Sequence, residues 1–128
     1  MIEQIKIFDS NVIAIEVIDG FTKIDEKVCE RIFQRKISKG FKSINILVRV
    51  DKVKISKCKV KVFFEDIIWL SRNYNKMGRF AIVAHSDLLK ALVSIDNLFF
   101  AKTSKGREER YFDVSQIEEA FTFVIAKE

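Results

Sequence analysis

The sequence predicts an α/β fold: a mixed central sheet of about five strands with helices packed on it, in the order ββαβαβαβα. Three observations carry this reading. Arg79 to Leu92, RFAIVAHSDLLKAL, passes from an apolar run through Ser86 and Asp87 into leucines at helical spacing. That is the joint between a strand covered on both faces and a helix with Ser86 as N-cap. Residues 2–7 and 11–18 alternate or run apolar around Asp9, Ser10 and Asn11, which reads as a hairpin with a short polar turn. Elsewhere, apolar residues recur at three- and four-residue spacing, so helices separate the later strands. Parallel pairs joined by right-handed crossovers follow from that order.

Each element has a local reason. Gly20 closes the hairpin, and Thr22 or Asp25 caps a helix whose face carries Ile24, Val28, Ile32, Phe33 and Ile37. Gly40 fits the αL position that ends it. Ile44 to Val50 is a central strand. Val53 to Ile55, with lysines between apolar residues, suits an exposed edge protected against aggregation. Phe63, Phe64, Ile67, Ile68, Ser71 and Tyr74 repeat at helical spacing up to Gly78, giving a second helix. Phe80 to Ala84 is the next strand, and Leu88, Leu89, Leu92, Val93 and Ile95 mark a third helix. After a polar turn at Ser104 to Gly106, Arg110 to Val114 is a last edge strand. Ser115 caps the final helix, with Glu118 completing a capping box and Ile117, Ala120, Phe121, Val124 and Ile125 facing inward.

The chain of 128 residues fits one domain spanning 1–128, with 48% hydrophobic and 32% charged residues. Met1 to Asn11 carries Glu3 and Lys6 and no apolar stretch of signal length, and no segment approaches the ~20 apolar residues that span a bilayer. A cytoplasmic protein is the expectation. Cys29 and Cys58 stand apart without CxxC spacing, so reduced structural cysteines are expected and no metal or other cofactor is indicated.

Charge is unevenly distributed. Arg35 to Lys61 holds ten basic residues and one acidic residue, Asp51, while the remainder of the chain holds thirteen basic and seventeen acidic residues. A basic surface including Lys52, Lys54, Lys57, Lys59 and Lys61 attracts anionic partners, either an acidic protein face or an anionic membrane surface. Phe41 is the only aromatic residue in that stretch, so the interleaving expected of single-strand nucleic-acid binders is absent. Ser56 lies among these lysines, where a phosphate is electrostatically favoured, and is a candidate phosphosite.

His85 is the one histidine and follows a strand, at the carboxyl edge where open α/β sheets bind ligands. His85, Ser86 and Asp87 are consecutive, and a catalytic relay needs side chains converging from different directions. Glu65 and Asp66 are neighbours on a helix and diverge by about 100°. No residue is assigned a catalytic role. Phe63, Phe64, Trp69, Tyr74, Phe99 and Phe100 fill a core by default. A ligand pocket walled by Phe64, Trp69, Phe99 and Phe100, with Asp66 and His85 as polar members, is the functional alternative.

Four stretches carry a family resemblance over nearly the whole chain. These are the opening IEQIKIFDSNVIAIEVIDGFT, the Phe64-Glu65-Asp66 segment, the joint RFAIVAHSD, and the closing YFDVSQIEEAFTFV. The chain resembles the SpoIIAA-like family, a branch of the STAS fold with kinship to CRAL-TRIO lipid-binding domains. Family members often have Trp-Glu-Asp at the second stretch and R-I-A-V-V-x-D at the third. The resemblance implies a small cytoplasmic domain without established enzymatic activity, often dimeric, acting through protein or ligand binding. STAS regulators carry a phosphorylatable serine in an Asp-Ser motif after the central strand; the matching stretch here, DKVKISKCKV, has Ser56 and no Asp-Ser pair. Two functions are expected to compete: a non-enzymatic, homodimeric protein-interaction or regulatory domain, and a carrier of an apolar or lipid-like molecule held between helices and sheet.

Overall fold

Strand-forming residues and one polar turn set the frame. In the computed structural model, which describes residues 1–18, 22–50, 77–85 and 109–125, β1 (Ile2–Ile7) and β2 (Val12–Val17) pair antiparallel about the turn at Asp9 to Asn11. β3 (Ile44–Arg49), β4 (Met77–Ala84) and β5 (Glu109–Asp113) then add in parallel. Among the described residues the result is a five-stranded mixed sheet in the order β1-β2-β3-β4-β5, with β1 and β5 outermost. The α/β class, the hairpin and the parallel pairs expected from the sequence are all present. Helix α1 (Lys23–Ser38) lies between β2 and β3, and α2 (Ile117–Ile125) follows β5 through a short 3-10 turn at Val114–Gln116. The expected edge strand at Val53 to Ile55 and the expected helices around Phe63 to Tyr74 and Leu88 to Ile95 lie outside the described residues.

The period-two alternation of each strand sorts its side chains onto two cores. Ile13, Ile15, Val17, Ile44, Ile46, Val48, Phe80 and Ile82 share one face with Phe33 of α1, and Cys29, Ile32 and Ile37 pack half-buried against them. Val12, Ala14, Leu47, Ala81, Val83 and Phe112 share the other with Ala120, Phe123 and Val124 of α2. Central strands buried on both sides need near-continuous apolar runs, and INILV in β3 and FAIVA in β4 supply them.

Thr22 is the cap of α1. Its Oγ1 accepts from the Asp25 N–H at 3.3 Å, and Asp25 Oδ2 accepts from the Thr22 N–H at 2.8 Å and its hydroxyl at 3.0 Å. This reciprocal box turns Asp25 inward. Ile24, expected on the buried face, is therefore rotated about 100° away and is 75% exposed. The helix ends at Ser38 with Lys39 as its C-cap, and Gly40 follows with a φ of 87°, the left-handed conformation expected there.

The final helix begins differently from the expectation. Asp113, not Ser115, is the cap: its Oδ2 accepts from the Ser115 N–H at 3.0 Å and hydroxyl at 2.6 Å, while Gln116 Oε1 accepts from the Asp113 N–H at 3.1 Å. Gln116 thus takes the place assigned to Glu118. Ile125 also differs, being 47% exposed, because Phe123 and Val124 occupy the inward arc of the last turn.

Burial pushes the Asp25 carboxyl up, but hydrogen bonds from the Thr22 N–H and hydroxyl, and the Met1 ammonium 3.2 Å away, hold it below its ordinary 3.8. Hydrogen bonds from the Ser115 hydroxyl and N–H hold Asp113 below 3.8 as well. Both groups ionise at lower pH when folded than when unfolded. Their stabilisation is complete above 3.8 and is lost as pH falls through the folded values. Urea unfolding is expected to show Thr22→Ala costing about 1 kcal/mol at neutral pH. It should also show Asp25→Asn flattening the decline of stability below pH 3.8.

Candidate functional site

Three places gather polar chemistry among the described residues. The first is the carboxyl edge of the sheet. Ala84 pairs with Asp113, so His85, the next residue on, stands beside the Asp113 carboxylate at the lip of β4 and β5. Here Val50 also joins β4, its N–H donating to the Val83 carbonyl at 2.9 Å. His85 is exposed as expected for a lip residue. Asp113 spends its carboxylate on Ser115, and the nearby His85 contributes to lowering its pKa through charge, with no hydrogen bond between the two. A cap held by its own turn is a positioning device for α2 rather than a general base poised against a histidine.

The second place is the opposite end of the sheet. Asn45, 5% exposed, donates from Nδ2 to the Val124 carbonyl at 2.8 Å, and its Oδ1 accepts from the Arg79 N–H at 2.8 Å. Arg79 Nη1 donates to the Phe123 carbonyl at 3.0 Å, and its guanidinium lies 5.2 Å from the centroid of the Phe123 ring. The Arg110 guanidinium lies 4.8 Å from the same centroid. Cations here meet the carbonyl end of α2, where the helix dipole favours them. The arginine that opens RFAIVAHSD thus ties the last helix to the sheet.

The third place is the outward face of α1. Lys23, Lys27, Arg31, Arg35 and Lys39 recur at every fourth position and are all exposed. Among the described residues none of them is paired with a carboxylate. Arg31, Gln34, Arg35, Ser38 and Lys39 line an open depression of about 460 Å³. Like charges four residues apart on a helix are unfavourable by about 0.2–0.5 kcal/mol per pair. Arg35 and Lys39, near the carboxyl end, recover part of this from the helix dipole; Lys23 and Lys27, near the amino end, recover none.

A family model described as SpoIIAA-like matches residues 12–124. The chain belongs to the SpoIIAA-like family. No curated protein and no solved structure matches it. The SpoIIAA-like fold accounts for the five-stranded mixed sheet with helices on its faces, and family membership supports a regulatory or interaction domain of the STAS type, a class that is generally non-catalytic. Among the described residues no helix of this SpoIIAA-like chain is long and apolar enough to cross a membrane, and no group of His, Cys, Asp and Glu is arranged to hold a metal ion.

Of the site residues expected from the sequence, the SpoIIAA-like structure places His85. Phe64, Asp66, Trp69, Phe99 and Phe100 lie outside the described residues, as do Lys52, Lys54, Lys57, Lys59, Lys61 and Ser56. Cys29 packs half-buried on the α1 side of the core, and Cys58 lies outside the described residues. Sequence reasoning missed the α1 stripe because charge was counted from Arg35 onward; the four-residue recurrence from Lys23 was the available signal. It also missed Asn45, whose mark is one polar residue inside the run INILV.

Proposed function

We propose that residues 1–128 form one SpoIIAA-like domain that acts in the cytoplasm without catalysis, as a regulatory module that recognises another protein and pairs with a second copy of itself. The family match over residues 12–124 carries this reading, since STAS domains commonly take part in protein–protein interactions. The packing supports it. Phe33 on one side and Phe123 and Val124 on the other pack the chain's own side chains against the described faces of the sheet. At the two ends of the sheet, Asp113 and Asn45 are committed to holding backbone groups. Five basic side chains face solvent along α1, which suits recognition at a surface.

Sedimentation velocity at micromolar concentration tests the self-association. The expected species has twice the 14.9 kDa chain mass; a monomer that persists on concentration removes the dimer from the proposal.

A further inference from the structure

We infer that the outward face of α1 is a docking surface for an acidic protein segment, rich in Asp and Glu and narrow enough to follow the helix. This rests on the interaction reading above and names the chemistry of the partner. From Lys23 through Lys27, Arg31 and Arg35 to Lys39, each four-residue step advances about 6 Å along the axis and about 40° around it. The whole stripe is about 24 Å long and winds through about 160°. A flat bilayer meets only the arc of a helix that points at it, whereas a flexible peptide bends around the cylinder.

The rest of the face argues the same way. Phe33, Ile32 and Ile37 are packed on the sheet, so apart from Ile24 the exposed side offers no apolar residue to enter a membrane interface. It also carries no aromatic ring on which nucleic-acid bases would stack. Glu26 and Glu30 border the amino-terminal half, so positive potential is densest over Arg31, Arg35 and Lys39, where the depression lies. Two guanidinium groups there bind carboxylates through paired N–H donors, and Ser38 adds a neutral hydroxyl donor beside them.

The test is fluorescence anisotropy with a labelled Glu-rich peptide, at low and at physiological salt, on the full chain. Wild type is compared with Arg31→Glu/Arg35→Glu and with Lys6→Glu/Lys42→Glu, which makes the same change in net charge outside the five stripe positions. Binding is expected to weaken as salt rises. It should weaken at least about tenfold in the α1 variant and less than about threefold in the control variant. Arg31→Gln/Arg35→Gln, with circular dichroism, keeps the comparison valid if charge reversal perturbs folding. Equal weakening in the two charge-reversed variants overturns the proposal, and so does binding to phosphatidylserine vesicles or duplex DNA with indifference to the peptide. If wild type and the α1 variant retain the same protein from a lysate, the interaction reading stands and this face is not its surface; if neither retains a protein and the chain is monomeric, the interaction reading fails as well.

Discussion

Asn45→Ala is expected to destabilise the fold by about 2–4 kcal/mol, because one buried and one part-buried backbone group lose their partner at once. The Val124 carbonyl loses its donor and the Arg79 N–H loses its acceptor, at a site where Asn45 is 5% exposed and water has little access. Each orphaned group carries a desolvation penalty of about 1–3 kcal/mol. Gly78→Ala approaches the same site from another direction, since a methyl group there would overlap Asn45 Oδ1 and come within 3.4 Å of the Ser43 Cβ. Its loss should be of similar size and should not add to that of Asn45→Ala, as both break one network. A urea double-mutant cycle checks both statements; fully additive losses would show that Gly78 has a separate role.

Lys36→Ala is expected to cost about 2–3 kcal/mol, as hydrogen bonds from charged donors outweigh neutral ones. Lys36 is 8% exposed, and its Nζ donates to the carbonyls of Phe8 and Ser10, the latter at 2.6 Å. Through it α1 grips the turn between β1 and β2. Burial and the neighbouring Lys39 charge lower the Lys36 pKa from its ordinary 10.5, with Asp9 opposing. The unfolded chain thus binds more protons than the folded one between the lowered folded value and 10.5, so wild-type stability should rise with pH through that window. Lys36→Met keeps the apolar stem and removes the proton; a retained pH gain in Lys36→Met would assign it to another group.

The strands were legible because β-branched residues crowd them and because parallel strands buried on both faces cannot carry charges in their middle. Thr22 and Gly40 marked the ends of α1 for equally local reasons. The second cap was not legible. Asp113-x-x-Gln116 and Ser115-x-x-Glu118 both satisfy the capping-box pattern, and the choice falls to where β5 ends its pairing with β4, at Ala84 and Asp113. Ile24 and Asp25 posed the same problem: hydropathy turns Ile24 inward, while the hydrogen bonds of the cap turn Asp25 inward. In the candidate site, His85 was found from its place after a strand, but Asn45 depends on Val124, distant in sequence, and no local pattern announces such a partner. The α1 stripe was visible only to a count made at helical period rather than along the chain.

Native mass spectrometry of the gently purified protein tests the central claim, that this SpoIIAA-like domain works through its surface and not by carrying a molecule inside. The account predicts a dimer of bare chains with no added mass. A stoichiometric or heterogeneous lipid-like adduct would contradict it and make the domain a carrier.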